Sequence, residues 1–150
     1  MSASDAGFLA AIQEAKAGAE EGGMPIGGAI VSSSGELLGT GRNRFVQDGS
    51  LLHADVNIGV QGGTSAFENA KHHPLAAFKN GTLYTTLSPC PMCAGAAIFF
   101  QVKRIVIGEN KNMSGREEYL RQHGIEVIVL NDQVSTKLMT DFITNQPQIW

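Results

Sequence analysis

Thr82-Leu83-Tyr84-Thr85-Thr86-Leu87-Ser88-Pro89-Cys90-Pro91-Met92-Cys93 joins two structural signals without a gap. Thr82 to Leu87 is β-branched and aromatic, the composition of a buried strand. Pro91 then stands where a helix begins, its fixed φ suited to the first helical position. Met92 to Phe100 continues that helix with small residues on one side. A strand running straight into a helix puts Cys90 and Cys93 at a helix N-terminus, where partial positive charge lowers thiol pKa and favours thiolate.

Outward from this junction the elements alternate. Upstream, Phe8, Ala11, Ile12, Ala15 and Ala19 form a helical apolar stripe, with Ser4 or Asp5 as cap and Gly22-Gly23 as its end. Ile26 to Val31 reads as a strand, Ser32 to Gly35 as a hairpin turn and Glu36 to Thr40 as the partner strand. Downstream, Val102 to Ile107 is a strand, Arg116 to His123 a short helix closed by Gly124, and Ile125 to Leu130 a strand. Asp132 caps a last helix running to about Asn145. The five strands and their helices predict the α/β class: a three-layer α/β/α sandwich around a central mixed sheet. Right-handed crossovers make the later strands parallel neighbours.

The chain has 150 residues, the size of one domain spanning 1–150 and long enough to bury a core without disulfides. Its 43% hydrophobic and 17% charged content suit a globular protein and argue against a disordered one. Net charge is −3 and there is no basic stripe, which disfavours a nucleic acid polymer as substrate. No apolar run reaches the ~18 residues of a membrane span, and Met1 to Ala11 does not read as a signal peptide. Both cysteines lie in the C-x-x-C, too close for an unstrained framework disulfide. A reducing compartment, the cytoplasm, is the expectation.

Cys90-x-x-Cys93 alone fits a redox pair, half of a structural zinc knuckle or two core thiols. His53-Ala54-Asp55 upstream changes the balance, because a redox pair has no use for a His-x-acid. A knuckle needs a fourth ligand, and His72, His73 and His123 belong to no Cys/His-spaced pair. One imidazole and two thiols leave the fourth zinc position to water, the layout of a catalytic site. H-x-E…P-C-x-x-C is the signature of zinc deaminases, in which the metal activates a water and the acid moves its proton. Here Asp55 stands in the glutamate position. The predicted metal ligands are therefore His53, Cys90 and Cys93, with Asp55 as proton shuttle.

Longer stretches carry a resemblance: Met24-Pro25-Ile26-Gly27-Gly28, Gly41-Arg42-Asn43, Thr82 to Cys90, Gly108-Glu109-Asn110, Glu118-Tyr119-Leu120 and Gln146-Pro147-Gln148-Ile149-Trp150. From about Glu14 to Trp150 the chain resembles the fungal and bacterial cytosine deaminases of the cytidine deaminase superfamily. That resemblance implies a homodimer, one zinc ion per subunit, and hydrolytic removal of an exocyclic amine from a pyrimidine base. It also implies that Asn43 reads the ring edge and that Ile26, Leu87 and Trp150 wall the pocket. The backbone at Ala54 and Ser88 would complete the hydrogen-bonding shell.

Several positions depart from the family pattern. Asp55 is one methylene shorter than glutamate. Val56 to Gly63 stands as an insertion, after which Thr64 would cap a restarted helix through Phe67-Glu68. Met113 occupies a position where the family places an aromatic residue over the ring. The sequence ends at Trp150, where the family continues into an acidic-aromatic tail. Three functions are consistent with this pattern: deamination of cytosine, deamination of another small amino-heterocycle or cyclic amidine, and a catalytically silent zinc-binding dimer.

Overall fold

The computed structural model describes residues 1–48, 62–70 and 73–150. A 15-residue helix, α1 (Ala6–Glu20), opens the chain, with Asp5 at its N-cap position. The hairpin β1 (Gly27–Val31) and β2 (Leu37–Arg42) follows, then a single helical turn, α2 (Phe45–Asp48). After α3 (Gly62–Asn69) and the four-residue α4 (Leu75–Phe78) comes β3 (Thr82–Leu87). The remainder alternates: α5 (Pro91–Phe99), β4 (Arg104–Glu109), α6 (Glu117–Gln122), β5 (Glu126–Val129) and α7 (Gln133–Asn145).

The five strands form one mixed sheet in the order β2-β1-β3-β4-β5. β1 pairs antiparallel with both β2 and β3, whereas β3–β4 and β4–β5 are parallel. The parallel neighbours are those joined through α5 and α6, as the crossover rule requires. β3 occupies the centre and is buried along its whole length, which suits its charge-free run of threonine, leucine and tyrosine.

Side-chain alternation sorts the strands between two cores. Ile30, Leu83, Ile105 and Ile107 point to the side covered by α3 and α5, meeting Ala66, Phe67, Ala94 and Ala97. Phe67, Phe78 and Phe100 pack together at the edge of that core, Phe67 and Phe100 stacked at 4.6 Å. Ala29, Tyr84 and Val106 point the other way, onto Phe8, Ala11 and Ile12 of α1. Asp132 closes the first turn of α7 by accepting from the Ser135 N–H at 2.7 Å. The three-layer sandwich is as expected from the sequence.

Some boundaries differ from the sequence reading. α3 begins at Gly62, two residues before Thr64. β2 and β4 each run two residues further at their C-terminal ends, to Arg42 and Glu109, through glycine-containing stretches that lack strand composition. The register supplies what composition lacks: Gly41 pairs with Gly28, and Glu109 with Leu87.

Candidate metal and substrate site

The C-terminal ends of β3 and β4 and the start of α5 converge on one corner of the sheet. Cys90 is the N-cap of α5 in extended conformation, Pro91 is its first residue, and Cys93 is buried in its first turn. The Cys90 thiol is lowered to about 6 from an ordinary 9.0, chiefly by its contact with the Cys93 thiol. Burial opposes this, while the backbone N–H groups of Cys93, Met92 and Cys90 reinforce it. Two sulfurs three residues apart, one already biased to thiolate by its neighbour and by the N–H groups of the helix start, are a donor pair that suits zinc. His53, Ala54 and Asp55, the insertion through 61 and His72 lie outside the described residues. Among the described residues, no set of three His, Cys, Asp or Glu side chains is placed to hold a metal. His123 bonds the Tyr119 carbonyl at 2.8 Å through Nδ1, and His73 follows α3 with its N–H on the Ala70 carbonyl.

Beside the thiols lies an apolar wall. Ile26, Leu87, Met24, Met139 and Phe142 form one buried cluster, with Phe45, Met113 and Ile149 packed against it. Ile26 and Leu87 meet because β1 and β3 keep their register beyond the last ladder pair: the Gly27 N–H donates to Thr86 Oγ1 at 3.0 Å. Asn43 is 1% exposed, and its Oδ1 accepts from the Phe45 N–H at 2.9 Å, which fixes the amide plane and starts α2. Its own N–H donates to the Ile26 carbonyl at 2.9 Å. Ile26, Asn43, Leu87 and Met113 are thus brought together. Trp150 is 41% exposed, and its neighbour Ile149 makes the contact with the cluster instead.

Ser88 links this wall to the thiols. Its N–H donates to the Glu109 carbonyl at 2.9 Å, and its hydroxyl donates to Glu117 Oε1 at 2.8 Å. The same hydroxyl accepts from the Gly115 N–H at 2.9 Å. A Cβ on Gly115 would run into the Pro89 carbonyl oxygen, so only glycine lets this loop lie so close. Glu109, fully buried, accepts from the Lys111 and Asn112 N–H groups and from Asn112 Nδ2, folding the loop that carries Met113. No role was predicted for Glu109 or Glu117. Both lie in or beside stretches quoted for the family resemblance; Glu109 bonds its own following loop, whereas Glu117 reaches Ser88 across the fold.

A strand leading into a C-x-x-C helix, on a mixed sheet in this order, defines the class of zinc-dependent deaminase folds. The family model for the cytidine and deoxycytidylate deaminase zinc-binding region matches residues 1–109, and the chain belongs to that family of zinc-dependent hydrolytic deaminases. It is 44% identical over 145 residues to a cytosine deaminase of Candida albicans, covering 96% of this chain and 91% of that protein. It is 33% identical to a tRNA-specific adenosine deaminase of Haemophilus influenzae, over 81% of this chain and 72% of the other. Among solved structures, a guanine deaminase from Nitrosomonas europaea superposes with a TM-score of 0.71 at 22% identity, over 96% of this chain and 86% of that one. That likeness bears on the fold.

Proposed function

We propose that this protein hydrolytically removes the exocyclic amine of free cytosine, or of a closely similar pyrimidine base, and releases ammonia. The observation that carries this reading is the 44% identity to a cytosine deaminase sustained over 96% of the chain. The matched region takes in nearly the whole of both chains. His53, Cys90 and Cys93 hold one zinc ion per subunit. When bound, the metal supplies the Lewis acidity that activates the attacking water. Asp55 takes the proton of that water, delivers it to a ring nitrogen and then assists departure of the amine. Asn43, its amide plane fixed by Phe45, offers both donor and acceptor to the ring edge. Ile26 and Leu87 present flat apolar surface to the ring, and the Ser88 and Ala54 backbones complete the polar shell. Met113 and Trp150 close the outer side.

The whole chain, 1–150, acts as one domain in a cytoplasmic homodimer serving pyrimidine salvage. A second copy of the chain is supported by the outer face of α5. Met92 and Phe99 are exposed there, Phe99 by 69%, and a Cβ at Gly95 would meet nothing within 4 Å. These residues form an apolar stripe at helical spacing, of the kind protein interfaces cover. A net charge of −3 supports a free base over a nucleic acid polymer.

Ammonia release from cytosine, with zinc measured in the same sample, tests the reading. A second reading, another small amino-heterocycle or cyclic amidine, is favoured by Asp55 and Met113, which alter reach and ring contact. Turnover of such a compound with cytosine inert would establish it, and a zinc-loaded protein inert towards both would establish the silent dimer.

A further inference from the structure

Glu117 is the first residue of α6 and its side chain is only 13% exposed. Its carboxylate is turned into the fold: Oε1 accepts from the Ser88 hydroxyl at 2.8 Å and from Asn110 Nδ2 at 3.1 Å. Among the described residues its ion-pair partner is Arg121 one turn on, with Nη2 at 4.0 Å, the outer limit of an ion pair. The Ser88 hydroxyl is thereby committed as a donor towards Glu117, which leaves its lone pair to accept the Gly115 N–H. One residue on, the Pro89 carbonyl accepts from the Arg116 N–H at 3.2 Å. The two residues preceding Cys90 are therefore clamped by the 109–117 loop through four hydrogen bonds. The side-chain anchor of that clamp is Glu117.

We propose that Glu117 is a positioning residue for the Cys90 side of the metal site, acting through the Ser88 hydroxyl. The inference deepens the functional reading above and rests on it. Ser88 and Pro89 set the direction in which Cys90 leaves the end of β3. Cys90, Cys93 and His53 would have to present their donors together to hold one zinc ion. Groups that hold ligands from behind in this way contribute to metal affinity without touching the metal. Asn110 fixes the carboxylate in turn, so the strut is satisfied at both ends.

The test measures zinc release to an excess of a chromogenic chelator from the folded, zinc-loaded protein, together with kcat and KM for the base that the parent turns over. Glu117→Ala is expected to release zinc roughly 10- to 100-fold faster and to lower kcat more than it raises KM. Ser88→Ala should do the same, and the double variant should be no worse than either alone, because the two act in series. Glu117→Gln should stay near the parent, since its amide oxygen still accepts from the hydroxyl. Glu118→Ala, whose side chain is exposed on the same helix, serves as control.

A purely structural strut would lower the melting temperature and leave zinc release within twofold of the parent. That result, or full additivity in the double variant, overturns the inference. If Glu117→Ala does not fold, Ser88→Ala and Glu117→Gln carry the same test, and parent-like release from Ser88→Ala overturns it. A parent lacking stoichiometric zinc overturns the functional reading and this inference together. Parent-like release in the variants of a zinc-loaded protein overturns this inference alone.

Discussion

The two ends of the β3–β4 pair are built from similar materials and do different things. At the N-terminal end, Val31, Ser33, Asn80, Tyr84, Lys103 and Arg104 line a cleft of about 620 Å³. One of its charged groups is satisfied locally, Arg104 Nε lying 2.6 Å from Glu126 Oε2 on the neighbouring strand. At the C-terminal end, thiols, an amide, a hydroxyl and two carboxylates arrive from β2, β3, β4, α5 and α6. Ser88 and Glu117 hold one another across elements, while Asn43 and Glu109 are held by the backbone that follows them. Volume does not mark the reactive end. Convergence of oriented donors from several elements does, and in parallel segments this happens beyond the carboxyl ends of the strands.

The largest expected effect comes from breaking the reactive end outright. Cys90→Ala removes a proposed metal ligand that has no substitute among the described residues. Zinc should fall below stoichiometry, and turnover should drop by roughly 10³-fold or more, several kcal/mol of barrier. Metal analysis and ammonia release on one sample check both. Asp55→Ala should lower turnover by about 10²- to 10⁴-fold while zinc content stays at the parental level. Parental turnover in that variant would remove Asp55 from proton transfer and make Glu68 the next acid to examine.

A matched pair of glycines sharpens the contrast at smaller cost. A Cβ on Gly81, at the N-terminal end of β3, would stand 2.5 Å from the Val31 carbonyl oxygen and 2.9 Å from that of Phe78. Gly115 meets the Pro89 carbonyl in the same manner at the other end. Either change to alanine should cost about 1–3 kcal/mol, read as a lowered urea midpoint. Only Gly115→Ala should also reduce kcat/KM of the folded protein, because its strain falls on the residue before Cys90. Equal activity in the two variants would show that the reactive end tolerates displacement as well as the other.

The two ends were also unequally legible in the sequence. β3 and the thiol-bearing helix could be read residue by residue, because their signals are local. A run of threonine, leucine and tyrosine is bounded by Gly81 and by Ser88-Pro89, and Pro91 opens the helix. The spacing of Cys90 and Cys93 offers a donor pair, and His53-Ala54-Asp55 upstream is what turns the reading from a redox pair towards zinc. Glu117 could not be read this way, because its partner Ser88 lies 29 residues away and a carboxylate in a helix's first turn is ordinary. The end of β4 was missed for a related reason. Glu109 has a charged side chain yet sits fully buried in a strand, satisfied by the N–H groups of its own following loop. The single turns at Phe45–Asp48 and Leu75–Phe78 are too short to show a period. In the first, it is the Asn43 side chain that caps the turn.

The smallest expected effect belongs to the inert end and runs with pH. Burial pushes the Tyr84 hydroxyl above its ordinary value of 10.0, and the nearby charge of Asp5, whose Oδ2 lies 3.4 Å from the hydroxyl, adds to this. A folded value raised above the unfolded one means that the unfolded chain releases this proton first as pH climbs. The stabilisation from a neutral Tyr84 is therefore complete below pH 10 and is lost as pH rises through the folded value. Urea midpoints should fall as pH rises above about 10 in the parent, and fall less steeply in Tyr84→Phe, which has no proton to lose. Zinc content and kcat/KM near neutral pH should be the same in both, since the residue faces α1 at the far end of the strand from Cys90. A parallel midpoint slope in the two proteins would mean that Tyr84 already ionises as it does in water. A change in zinc content would mean that the two ends of β3 are coupled along the strand, which would remove the contrast between them.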